Sequence, residues 1–323
     1  MTLALGTIRE RLDDAAARLS RAGLATPRVD AEWLLAAVLG VTRGRLVIVG
    51  DQAMSDETAE RYESWIGRRA AREPLQHILG TQAFRDLAVS VGPEVLVPRP
   101  ETELLVSWAL ELLPPRGTRP VVIDVGTGSG CIACALASER PDVRVVAVDT
   151  SPAAVTVSRA NVDALGLADR VTVAASDLFS GLAPMRADLI VSNPPYGPSA
   201  VFDTLAPEIT EHEPRLAIDG GPDGLGVIRR LVADAPRWLE PAAPLLLETF
   251  GDEQIRQVIV LMEEAGFMDI STRRDLVGVN RFVAGRCSSA GFARATDSSG
   301  EAARSEPQAS DERRKGGEAP LRG

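Results

Sequence analysis

The sequence is short of several things. It has no apolar run approaching the roughly 18 residues that a membrane-spanning helix needs, so none is expected. It has three cysteines, Cys131, Cys134 and Cys287, too few and too odd in number for a disulfide framework. A reducing cytoplasm is the simple expectation. Met1 to Leu12 carries charged residues early and no small-residue cleavage pattern, so no signal peptide is read there. Its two histidines, His77 and His212, lie in no motif, and aromatic residues make up 4% of the chain. Positive charge is also in deficit, with a formal net charge of -10 over 323 residues. Such a chain gains little counterion-release attraction to nucleic acid, and its balance suits a basic protein partner better.

What is present falls into segments. Residues 1–80 read as a helical bundle, with apolar residues near a 3.6 period from Thr2 to Gly23 (Leu5, Ile8, Leu12, Ala15, Ala16, Leu19). Thr26-Pro27 opens a second helix that runs to Gly40, and Ser55 caps a third from Asp56 to Arg72. Residues 81–98 read as a β-hairpin linker, with strands at Phe84–Val91 and Val95–Val97 and a turn at Gly92-Pro93-Glu94. From residue 99 to 286, short apolar strand-like runs (Val121–Ile123, Val145–Val148, Val171–Val173, Ala187–Val191, Pro244–Glu248) alternate with helical stretches, which predicts an α/β sheet covered on both faces. Residues 287–323 carry almost no large apolar residues and are expected to be a disordered low-complexity tail.

Asp124-Val125-Gly126-Thr127-Gly128-Ser129-Gly130 follows a strand and precedes a helix. Glycines let the backbone turn sharply and approach a ligand closely. The loop has no Lys for a phosphate-binding P-loop. An acid at position 124 would repel a pyrophosphate, whereas it suits a ligand with ammonium and sulfonium charges, such as S-adenosylmethionine (SAM). Asp149 ends the next strand, 25 residues on, where a carboxylate can accept both hydroxyls of a ribose. That pair is also compatible with NAD. Asp177 can accept from an adenine amino group, and Leu178 can pack on the ring. Each of these aspartates is equally of the type that caps a helix.

Asn193-Pro194-Pro195-Tyr196 follows the fourth strand and is the most specific feature. Two prolines remove flexibility and backbone donors, so the Pro194 carbonyl can face a substrate beside the Asn193 amide oxygen. Two acceptors converging on a planar –NH2 would aim its lone pair at a methyl donor, and Tyr196 offers a flat face for stacking. An amide or exocyclic amine is a poor nucleophile, so accepting its hydrogen bonds and fixing it in line supply the catalysis.

With these blocks quoted, together with Val97-Pro98-Arg99-Pro100-Glu101-Thr102-Glu103 and Glu213 to Leu225, the chain from about residue 5 to 286 resembles the release-factor glutamine methyltransferases, the HemK/PrmC family. The resemblance implies a Rossmann-like class I methyltransferase domain behind a helical substrate-recognition domain, with SAM as methyl donor and no metal. It implies transfer to the glutamine of the Gly-Gly-Gln loop in class I peptide chain release factors, with no nucleic-acid substrate. The implied SAM pocket comprises Gly126, Thr127, Gly128, Ser129, Gly130, Asp149, Asp177, Leu178 and Asn193. The glutamine would be held by Asn193, Pro194, Pro195 and Tyr196, with the Pro98 to Glu103 segment lining the same pocket from the domain junction and Arg99 and Glu101 there lining it or forming a structural ion pair. Departures from the family pattern are Leu178 in place of an aromatic residue, Thr249-Phe250-Gly251 after Glu248, and Asp86 and Ala88 in the hairpin.

Other features read as structural. Cys131-Ile132-Ala133-Cys134 lacks the further ligands of a metal site. Trp33, Trp65, Trp108 and Trp238 are spread over separate helices as packing anchors, and Arg68-Arg69-Ala70-Ala71-Arg72 reads as a solvated helix face. The alternatives to the protein substrate are an N6-adenine or N2-guanine methyltransferase, for which the same tetrapeptide would hold a base, and an NAD oxidoreductase, for which no proton-donating residue is found.

Overall fold

The computed structural model describes residues 6–288. Helix α1 (Ile8–Arg21) starts later than the periodicity suggests, because Thr7 and Glu10 close a reciprocal capping box at its first turn. Leu5 lies outside the described residues. Helix α2 (Pro27–Leu39) has proline at its first position and stops at Gly40, which adopts φ 66°. Thr26 does not cap it; its hydroxyl donates to Asp30 at 2.8 Å. Helices α3 (Leu46–Val49) and α5 (Leu75–Leu79) are single turns, too short to leave a periodic signal. Between them α4 (Asp56–Ala70) is capped by Ser55, whose hydroxyl accepts from Thr58 N. Leu19, Leu34, Leu35, Tyr62 and Ile66 fill the core of this bundle. The Tyr62 hydroxyl donates to the Ala31 carbonyl at 3.0 Å, which satisfies its one buried polar atom.

The arginine face of α4 is not simply solvated. Arg69 is buried, donating to Asp30 at 2.7 Å and to Glu208 at 3.1 Å, while Arg72 donates to the other Glu208 oxygen at 2.7 Å. Glu208 lies in a single helical turn 139 residues further along the chain, so the sequence offered no sign of this partner. Trp33 is also no anchor. It is 46% exposed, with the Arg43 guanidinium 5.0 Å from its ring.

The hairpin is shifted from its expected place. Strands β1 (Thr81–Phe84) and β2 (Leu87–Ser90) pair antiparallel around Arg85-Asp86. Arg85 takes φ 51°, held there by its N–H to Glu103 Oε1 and its guanidinium to the Glu103 carbonyl, Ser107 and Glu139. These long-range anchors override the weak turn preference of the dipeptide. Val95 and Val97 form no strand; they are buried in an irregular segment, with Val97 N donating to Glu213.

The rest is one seven-stranded sheet. Helix α6 (Pro100–Leu112) precedes β3 (Val121–Val125); then come α7 (Cys131–Glu139), β4 (Arg144–Asp149), α8 (Pro152–Ala164), β5 (Val171–Ala175) and β6 (Leu189–Ser192). The segment after β6 contains the single turns α9 (Ser199–Phe202) and α10 (Pro207–Thr210). The chain closes with α11 (Gly226–Asp234), β7 (Pro244–Glu248), α12 (Asp252–Glu264), β8 (Phe267–Arg274) and β9 (Asn280–Cys287). Strand order is β5-β4-β3-β6-β7-β9-β8, parallel except for β9. One apolar layer joins α6, α7 and α8 to one face, and a second joins α11 and α12 to the other. Burial on both faces is why these strands read as continuous apolar runs. Cys287, where the sequence reading begins the tail, still pairs with Phe267 and is buried. Residues 289–323 lie outside the described residues.

Candidate active site

The strand order reverses between β3 and β6, and the crevice at their carboxyl ends is where open α/β sheets bind ligands. A cavity of about 330 Å³ opens there. Its floor is the β3–α7 loop. Gly126 N and Thr127 N donate to the Val148 carbonyl at 2.8 and 2.9 Å, which folds the loop back over the sheet. Gly126, Thr127, Gly128, Ser129, Asp149, Asp177, Leu178, Asn193, Pro194, Pro195 and Arg99 all line this cavity.

Three of the implied site residues do not: Tyr196 lines the neighbouring cavity instead, and Gly130 and Glu101 line neither. Gly130 sits beneath the loop as the N-cap of α7 at φ 81°, where a Cβ would lie 2.6 Å from Ser158 Oγ. Its role is to let helix and loop close-pack. Glu101 lines neither this cavity nor its neighbour, and Arg99 pairs with Glu213 at 2.6 Å instead. Burial pushes the Glu213 carboxyl up, and the Arg99 charge opposes that.

Asp149 is oriented by two backbone donors at 2.9 Å, Gly128 N and Ser151 N. A carboxylate has about four lone-pair sites, so capacity remains for hydroxyls in the cavity. Asp177 is half-exposed and held by Arg230 at 2.6 Å. Leu178 is buried at φ 52°, which places its side chain on the cavity wall. Asp124 is fully buried and does not line the cavity. Thr127 donates to its Oδ2 at 2.6 Å while Oδ1 has no partner, and burial pushes the carboxyl up to about 7. Any influence of Asp124 on a ligand is therefore through the loop it underpins.

Asn193 and Pro194 lie at the junction with a second cavity of about 150 Å³. That cavity is lined by apolar side chains including Leu96, Val201, Phe202, Leu205 and Phe250, and Tyr196 forms its wall. The tetrapeptide is fixed from several directions. Ser192 Oγ donates to the Val125 carbonyl at 2.6 Å, Gln254 Nε2 donates to the Tyr196 carbonyl at 2.9 Å, and Gly197 N donates to the Ile218 carbonyl at 2.8 Å. Gly220 presses against the same backbone, where a Cβ would come within 2.6 Å of the Pro195 carbonyl. That close approach explains why the Glu213–Leu225 block is rich in glycine. The Pro194 carbonyl accepts no hydrogen bond among the described residues.

The tetrapeptide is also held from below, by Thr102, which the sequence marked only as part of the Pro98–Glu103 segment, and by Glu248, to which it gave no role. Asn193 Nδ2 donates to Thr102 Oγ1 at 3.1 Å, Thr102 Oγ1 donates to Glu248 Oε2 at 2.9 Å, and the Tyr196 hydroxyl donates to Glu248 Oε1 at 3.1 Å. Glu248 is 1% exposed at the end of β7. Burial pushes its carboxyl up to about 7 against the two hydrogen bonds and the nearby Arg281. The available signal was a lone charged residue closing the run Pro244-Leu245-Leu246-Leu247. The thiols Cys131 and Cys134 are buried, free and pushed up to about 12 by burial, which fits packing and not chemistry.

A reversed-order sheet with one antiparallel strand inserted next to its edge, a glycine loop, an acid ending β4 and an Asn-Pro-Pro-Tyr turn define a class I SAM-dependent methyltransferase. A model described as methyltransferase small domain matches residues 101–247, and one described as PrmC N-terminal domain matches residues 10–80. The release factor glutamine methyltransferase of Geobacter sulfurreducens is 43% identical over 280 residues, covering 87% of this chain and 96% of that relative. The one of Mycolicibacterium smegmatis is 44% identical over 279 residues, covering 85% of this chain and 96% of that relative. The chain belongs to the release factor glutamine methyltransferase family. A methyltransferase from Pyrococcus furiosus shares the fold, with a TM-score of 0.50 at 18% identity over 69% of this chain and 99% of its own.

Proposed function

We propose that the chain transfers a methyl group from SAM to the side-chain amide nitrogen of the glutamine in the Gly-Gly-Gln motif of class I peptide chain release factors, aiding translation termination. The setting proposed is cytoplasmic and beside the ribosome. Among the described residues no helix is long and apolar enough to cross a membrane. The observation that carries the reading is the Asn193–Pro194 corner at the junction of the two cavities. The larger cavity fits SAM: its Asp149 keeps free lone pairs for hydroxyls, and Leu178 supplies an apolar wall.

When bound, SAM supplies an electrophilic methyl on a sulfonium. The chain's part is to present the amide nitrogen. Thr102 already gives its proton to Glu248, so it can only accept from Asn193, and the Asn193 –NH2 must face Thr102. Asn193 Oδ1 is thereby left for the substrate, beside the unpaired Pro194 carbonyl. Two acceptors on one –NH2 raise electron density on nitrogen and fix its plane. The apolar second cavity suits the methylene stem of glutamine. The helical unit of residues 8–79 is proposed to recognise the factor, and residues 99–286 to carry the transfer.

The test is labelled SAM with a purified release factor, beside the same factor with its Gly-Gly-Gln glutamine changed to alanine, and beside tRNA, rRNA and duplex DNA. A single methyl on that glutamine is expected, and Asn193→Ala should lower kcat by about 100-fold or more, the cost of losing one preorganised acceptor. Label on nucleic acid alone would overturn the substrate and favour an exocyclic base amine.

A further inference from the structure

Glu248 is a buried carboxylate that touches no cavity, yet both flanks of the tetrapeptide hang from it. Thr102 stands between it and Asn193, and a hydroxyl has one proton to give. We propose that Glu248 is a positioning residue whose charge state decides which face of the Asn193 amide meets the substrate. The proposal rests on the amide-holding role of Asn193 given above.

With Glu248 ionised, Thr102 donates to it and accepts from Asn193 Nδ2, so Oδ1 turns to the substrate. With Glu248 protonated, its own hydrogen can go to Thr102 Oγ1. Thr102 then donates to Asn193, the amide turns over, and –NH2 faces the substrate where an acceptor is needed. Tyr196 keeps its hydroxyl on Oε1 in either state. The groups facing Glu248 are Thr102 and Glu101 from α6, Tyr196 from the β6–α9 turn and Arg281 from β9. Arg281 favours the charged form, Glu101 and burial oppose it, and the balance lies near neutrality, at about 7. Methyl transfer is therefore expected to switch on as pH rises through that value.

Two readouts test this on the full-length protein. The first needs no protein substrate: the side-chain amide resonances of Asn193, identified by their loss in Asn193→Asp, followed from about pH 5.5 to about 8.5 across the raised carboxyl. They should titrate near 7 in the parent protein and not at all in Glu248→Gln. The second is kcat on the release factor. Glu248→Gln should remove the pH limb and lower kcat at alkaline pH by about 10- to 100-fold, with a smaller change in the SAM Kd by calorimetry. In kcat and in the pH profile Thr102→Val should do the same, and Thr102→Ser should recover most of the loss. An Asn193 resonance that titrates equally in Glu248→Gln, or a Glu248→Gln enzyme with the parent pH profile, overturns the proposal. If the parent enzyme leaves release factors unmethylated, the substrate reading fails and the resonance titration still decides the role of Glu248.

Discussion

At Asp149 one carboxylate does two jobs. Its oxygens hold Gly128 N and Ser151 N, tying the β3–α7 loop to the start of α8, and the same oxygens face the cavity. Removing it frees both loop ends and strips the cavity of its acceptor for hydroxyls. Hydrogen bonds to a charged group contribute about 1.5–3 kcal/mol each, and about 1.4 kcal/mol is tenfold in affinity. Asp149→Ala should thus weaken SAM binding by roughly 10- to 100-fold in calorimetry. An unchanged Kd would remove Asp149 from the cofactor site. Glu101 teaches the opposite lesson. It shares a conspicuous motif with Arg99 and Thr102, but it lines neither cavity, while its neighbour Thr102 lines the larger one and holds Asn193.

Elements are coupled through charges that sequence separation hides. Helix α10 is a single turn with no buried residue of its own, so its position depends on Glu208 meeting Arg69 of α4 and Arg72 just beyond that helix. Arg69 also neutralises the buried Asp30 on α2. Breaking a buried pair by removing one partner leaves an uncompensated charge and costs about 3–5 kcal/mol. Arg69→Ala should lower the urea midpoint accordingly. Glu208→Gln should leave the midpoint nearer the parent value but raise hydrogen exchange in residues 199–213. Equal exchange in parent and variant would show that α10 is held by something else. The hairpin belongs to the same scale. Its turn lies at Arg85-Asp86 because α6 and α7 supply Glu103, Ser107 and Glu139 to hold Arg85, and no local pattern announces that.

Over the whole molecule, the pH dependence of stability is set in part by the buried acids Asp124 and Glu248, each pushed up to about 7 by burial. Between the ordinary carboxylate range and 7 the folded state binds protons that the unfolded chain has already released, so stability falls as pH rises through that window. Asp124 has one unpartnered oxygen. Asp124→Asn should therefore raise Tm relative to the parent at pH 8 and give no gain at pH 5. The reverse order would mean that the charged form is the one the fold favours. Much at this scale was legible in the sequence. The alternation of apolar runs with helical periods, Val121–Val125 through Pro244–Glu248, determined the layered sheet, because strands buried on both faces must be apolar throughout. Gly126 to Gly130 and Asn193 to Tyr196 marked the candidate site, because positive-φ glycines and paired prolines shape those two turns. What the tertiary structure alone decided is which side chains stand behind them. Thr102 on α6 lies 146 residues before Glu248 at the end of β7, and Gln254 follows on α12. They meet the tetrapeptide only when β6 and β7 pair and α6 packs across their ends. A hydrogen-bond chain between distant residues has no period and no local propensity, so it leaves no mark until the sheet is assembled.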